Sequence, residues 1–93
     1  MSAMSGQNTI AAAGTAEALG TTDIFGPLMV KALEANVGVC YLGDDGTGDI
    51  TSTTGLVLSA GDMVVFDYVG NLGSLMLDAA NNDDGVAWIR LNV

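Results

Sequence analysis

From residue 37 onward, apolar residues come in short runs of four to nine, many of them alternating with polar positions and separated by glycine or Asx. "VGVCYLG" (37–43) is β-branched and aromatic, with Val37, Val39 and Tyr41 on one face. "DMVVFDYV" (62–69) sets Val64, Phe66 and Tyr68 against Met63, Val65 and Asp67, and only the first set is wholly apolar. "LGSLMLDA" (72–79) predicts Leu75, Leu77 and Ala79 inward, with Met76 and Asp78 outward. "GVAWIRLNV" (85–93) predicts Ile89 and Leu91 toward the core, leaving Trp88 and Arg90 facing outward or into a neighbour. A short strand in "GLVLSAGD" (55–62) and a first strand in "QNTIAAA" (7–13) complete the set.

Residues 27–36, "PLMVKALEAN", fit two periods. Pro27 could open a short helix, and Leu28, Val30 and Ala32 also alternate with Met29, Lys31 and Leu33. The choice between strand and helix stays open on pattern alone; the β character of the flanks favours a strand. "TAEALGTT" (15–22) carries the same ambiguity and could form a single helical turn. Turn signals every eight to twelve residues with short strands between them predict an all-β chain. The expected fold is a small antiparallel β-sandwich or jelly-roll-like barrel of about seven to eight strands. Residues 1–8, "MSAMSGQN", are small and polar and read as a flexible N-terminal arm, with 9–93 as the single domain.

Composition sharpens this picture. The chain has 93 residues with 49% hydrophobic content, but one Trp, two Phe and two Tyr leave the core thin. Domains this small commonly lean on metals, disulfides or neighbouring subunits. Cys40 is the single cysteine, so no internal disulfide can form. Metal or assembly remains.

Eleven acids against Lys31 and Arg90 give a net charge of −9. Two cations cannot form a phosphate-binding patch, so no nucleic-acid partner is expected, and anionic membranes are disfavoured by sign. The N-terminus lacks a basic and apolar leader, and no apolar run approaches a membrane span. Synthesis in a reducing cytoplasm is the expectation.

Candidate chemistry is sparse. The stretch "LGDDGTGDITSTTG" (42–55) fails as an EF-hand loop in either register, and so does "NNDDG" (81–85). A looser oxygen site from Asp44, Asp45 and Asp49 is conceivable, but Asp-Gly pairs are also what hairpin turns require. The turn reading is preferred, and no metal or cofactor is expected. The absence of histidine removes the usual base for Ser or Cys nucleophiles. The adjacent pairs Asp44–Asp45 and Asp83–Asp84 should point apart on their turns. Catalysis is therefore not expected. Trp88 and Arg90 share a strand face, and suit either an interface hot spot or a Trp closing the core edge with Arg90 paired to an acid.

Over residues 30–91 the order of features resembles a group of small virion proteins from tailed bacteriophages. "VKALEANVGVCYLG" is similar to their strand–Asn–Gly–strand opening, and "GLVLSAGDMVVFDYVGNLGSLMLDAANNDDGVAWIRL" to the turn–strand–turn–strand sequel. The resemblance covers about two thirds of the chain, rests on turns and alternation, and transfers no catalytic or ligand residue. It implies a capsid decoration (cement) protein on the virion surface, assembled as a homotrimer and clamping major capsid protein subunits. Ser2, Met4, Gln7, Asn8 and Ile10, with Trp88 and Arg90, are then the candidate contacts to the shell or to neighbouring copies. A carbohydrate- or receptor-binding module of a tail or fibre is the alternative.

Overall fold

A computed structural model describes residues 4–44 and 55–91. Among the described residues eight strands run in order: β1 Ser5–Thr9, β2 Glu17–Ala18, β3 Asp23–Ala32, β4 Cys40–Gly43, β5 Leu56–Leu58, β6 Met63–Asn71, β7 Met76–Ala79 and β8 Gly85–Arg90. A single 3-10 turn, Leu72–Ser74, separates β6 from β7. The protein is all-β, as its alternation implies, and among the described residues no helix is long and apolar enough to cross a membrane.

The pairings nest: β1 with β8, β2 with β7, β3 with β6 and β4 with β5, all antiparallel. The chain is thus one long hairpin that has rolled up. Rolling adds the contacts β3–β8 and β4–β7 and divides the strands into two sheets, β1-β8-β3-β6 and β2-β7-β4-β5. This is jelly-roll order. Between the sheets lie Ile10, Leu28, Val30, Leu42, Leu72, Leu77 and Val86, each no more than 2% exposed. Alternate spacing places Leu28 and Val30 of β3 and Leu42 of β4 on inward faces.

Residues 27–36 resolve as strand up to Ala32, and the strand begins earlier than expected, at Asp23. Pro27 sits inside this central strand, where it cannot donate to a ladder. The ladder is interrupted there: Leu28 pairs Phe66 and Gly26 pairs Val69, so Asp67 and Tyr68 together oppose Pro27 as a bulge. A second irregularity between Asp23 and Gly26 turns Phe25 to a φ of +49°. Residues 15–22 contain a two-residue strand in place of a helical turn.

Several sequence expectations are corrected. Asn8, and the rest of the proposed arm from Ser5 on, belongs to β1, paired to β8 from Ser5↔Ile89 to Thr9↔Gly85, so the first strand is Ser5–Thr9 and not 7–13. Asp78 is buried, 6% exposed, and not outward, because the loop at Ala13–Gly14 covers that side of β7. Its Oδ1 accepts from Gly14 N at 3.0 Å and from Ala79 N at 2.7 Å. Finally, β8 is inverted: Val86 is fully buried and Trp88 packs against the core, while Ala87 and Ile89 face away. Both faces of β8 carry apolar residues, and alternation favours the Ala87–Ile89 face as inward only because Arg90 shares the other face with Val86 and Trp88. Its neighbour decided, because Val30↔Trp88 and Ala32↔Val86 place β8's even positions over the buried face of β3.

The strand expected to start at Val37 starts at Cys40, because the Asp84 carboxylate holds Val37 N at 2.9 Å and Gly38 N at 2.8 Å. Beside it Asn36 copies a strand partner, accepting from Gly85 N at 3.0 Å and donating to Gly85 O at 2.9 Å. Only glycine fits at 85, since a Cβ would overlap the backbone of Asn8 and Thr9.

Candidate association face

The outward side of β1-β8-β3-β6 is read directly from its registers. One row crosses the sheet as Ser5–Ile89–Met29–Val65 and a second as Gln7–Ala87–Lys31–Met63. A third row carries Pro27 opposite the Asp67–Tyr68 bulge, with Phe25 exposed one step beyond. Met63, Val65, Tyr68 and Phe25 are 56%, 52%, 66% and 62% exposed, which is high for apolar groups gathered on one sheet face. Within these rows the charged side chains are Lys31 and Asp67. Lys31 Nζ lies 3.0 Å from Glu34 Oε1 in an exposed pair, which contributes little to stability. A chain of net charge −9 therefore keeps one sheet face almost neutral. Contiguous exposed apolar surface of this kind is characteristic of interaction sites.

The residues singled out from sequence scatter. Gln7 is exposed on the outward side of β1. Asn8 points inward and stitches the two sheets along one edge, its Nδ2 donating to Ala18 O at 3.0 Å and Leu19 O at 3.1 Å. Ile10 is wholly buried and so is core, not interface. Met4 packs against the core, and its carbonyl accepts from Arg90 N at 2.8 Å. Ser2 lies outside the described residues. Trp88 is a core-packing residue whose indole spreads over Gly6.

Arg90 acts within the chain as well. Its Nε donates to Ile24 O at 2.6 Å and its guanidinium reaches Phe25 O at 3.4 Å, so it stitches the β3 irregularity. Gly26 makes room for it, since a Cβ there would come within 2.9 Å of Nη2.

Of the acidic candidates, Asp44 is exposed beside an apolar cavity of about 230 Å³, lined also by Leu42, Leu56, Phe66 and Leu75. Asp45 and Asp49 lie outside the described residues. Among the described residues no group of three or more potential ligands gathers in a metal-binding arrangement. Asp83 and Asp84 do point apart, one exposed and one 3% exposed. Cys40 is buried against Asn36 and Gly85 O, and burial, with Asp84 next, pushes its thiol up to about 11. A thiol held neutral in this way is a packing group, not a nucleophile.

The outward row was hidden in the sequence. Alternation shows Met63 and Val65 as the second face of their strand, but it points Ile89 to the core and leaves Met29 in the ambiguous 27–36 segment. What links them is cross-strand register, which no local pattern carries.

No family model matches the chain, and no curated protein matches it. Among solved structures it is similar to a cupin superfamily protein from Desulfitobacterium hafniense DCB-2, at 12% identity and a TM-score of 0.48, over 97% of this chain and 79% of that one.

Proposed function

We propose that this is a structural association protein of a phage virion, a decoration (cement) protein that binds outside the head as a homo-oligomer and clamps neighbouring major capsid subunits. The observation that carries the association reading is the nearly uncharged apolar face formed by Met29, Met63, Val65 and Ile89 on a strongly acidic chain. Its placement on a phage head rests on the resemblance of residues 30–91 to small virion proteins. In this reading the buried polar groups serve the fold: Asp78, Asp84 and Asn36 are engaged with backbone amides. No catalysis is assigned. Many equivalent copies on a shell stabilise the assembled state by mass action, each contributing only where the shell is intact.

The test is co-sedimentation with empty expanded heads built from the major capsid protein of the same genome. Saturation at a fixed high copy number per head supports the reading. Failure to bind heads overturns it. A carbohydrate- or receptor-binding module is the second reading, favoured by the exposed aromatics Phe25 and Tyr68 at one end of the face; a specific hit on a glycan array, lost on Tyr68→Ala, would promote it.

A further inference from the structure

The outward face of β1-β8-β3-β6 is polar-asymmetric along its strands. At one end lie Lys31 and Met63, in the middle the apolar row Ile89–Met29–Val65, and at the other end Pro27, Asp67, Tyr68 and Phe25. Lys31 and the Pro27 row are four residues apart on β3, roughly 13 Å at strand rise. A two-fold axis in the plane of the face, running across the strands along the middle row, exchanges these ends. It lays the apolar row of one copy on the same row of the other. It also brings Lys31 of each copy over the acidic, aromatic end of its partner, with Asp67 displaced sideways by one strand spacing, about 5 Å. Lys31 can then turn from Glu34 to a carboxylate and the Tyr68 ring across the interface, while Met63 meets aromatic edges.

We propose that a second copy of this chain occupies this face, the two sheets stacking as an aligned sandwich about that axis. Charge argues for a copy as occupant. Two chains of net charge −9 repel over the rest of their surfaces, but this face, with Lys31 and Asp67 at opposite ends, is self-complementary under the two-fold operation. An isologous contact of this kind closes at two copies, in place of the trimer that the sequence resemblance implies. The inference rests on the association reading of the same face.

Light scattering across a concentration series tests it on the full chain. The wild type should give twice the 9.4 kDa of one chain. Val65→Glu, at an exposed position, should halve the mass with the circular dichroism of the fold unchanged. Lys31→Glu and Asp67→Lys should each shift the pair toward monomer, and the double exchange should restore it. A monomeric or three-chain wild type overturns the proposal, as does an oligomer that Val65→Glu leaves intact. A monomer whose head binding is lost on Val65→Glu assigns the face to the shell, and also overturns it. A pair that ignores phage heads leaves this inference standing and sinks the decoration reading alone.

Discussion

Arg90 and Ile24 are joined across the sheet by a hydrogen bond of 2.6 Å from Nε to the backbone carbonyl. The contact holds the irregular stretch of β3 in which Phe25 takes a left-handed φ of +49°. A bulky residue pays for that geometry, and the guanidinium, reaching the carbonyls of both Ile24 and Phe25, offsets it. Lysine carries one compact donor group where arginine offers a planar fork. Arg90→Lys is expected to destabilise the fold by about 1 kcal/mol and Arg90→Ala by about 2 kcal/mol, in the range for hydrogen bonds from charged donors. Urea unfolding at constant m-value checks both.

Asp84 is nearly inaccessible and accepts from two consecutive amides, Val37 N and Gly38 N. Removing the carboxylate leaves those donors facing a void. Asp84→Ala is expected to cost about 2–3 kcal/mol, and Asp84→Asn about half as much because one acceptor oxygen survives. For a domain of this size each kcal/mol lowers Tm by about 4–8 °C. Calorimetry at neutral pH should order the variants wild type, Asn, Ala.

Asn8 spans the gap between β1 of one sheet and the carbonyls of Ala18 and Leu19 beside the other. Its amide nitrogen is the donor. Asn8→Asp replaces that donor with a charged acceptor aimed at two carbonyls, and should destabilise by about 2 kcal/mol, more than Asn8→Ala. Hydrogen exchange should show the loss first at the Leu19 amide, which is bonded to Leu75 O at that same edge.

Cys40 gives a pH dependence. Its thiol is raised from 9.0 to about 11 in the fold, by burial first and then by Asp84. The folded state therefore favours the neutral thiol. Its contribution is complete below pH 9 and is lost as pH climbs from 9 toward 11, because the unfolded chain releases its proton first. Stability of the wild type should fall over that window more steeply than that of Cys40→Ala. The wild-type thiol should also react with a disulfide reagent at pH 8 only as fast as the chain opens. A rate matching that of a free thiol would contradict the buried placement.

The strands Cys40–Gly43, Met63–Asn71, Met76–Ala79 and Gly85–Arg90 overlap the runs at 37–43, 62–69, 72–79 and 85–93 because alternation and turn residues are local properties of the chain, although Leu72–Ser74 forms a 3-10 turn. Burial of Leu28, Val30 and Ala32 follows from the same pattern once the 27–36 segment is taken as strand. Alternation fixes which residues share a face; it does not say which face turns inward when both are apolar. In β8 that choice fell to register with β3, which sets Trp88 against the core and turns Ile89 to the outward face. Asp78 reads as outward because it is charged and alternates with Leu77 and Ala79, and it is buried because a loop more than sixty residues away in sequence closes over it. Arg90 and Asn8 read as contacts for a partner because their true acceptors, the carbonyls of Ile24 and Ala18, belong to distant strands. The sequence by itself determined the class of object, an acidic all-β sandwich with a thin core. Only the rolled hairpin decided which side of each strand meets solvent, since that depends on pairings between residues far apart in the chain.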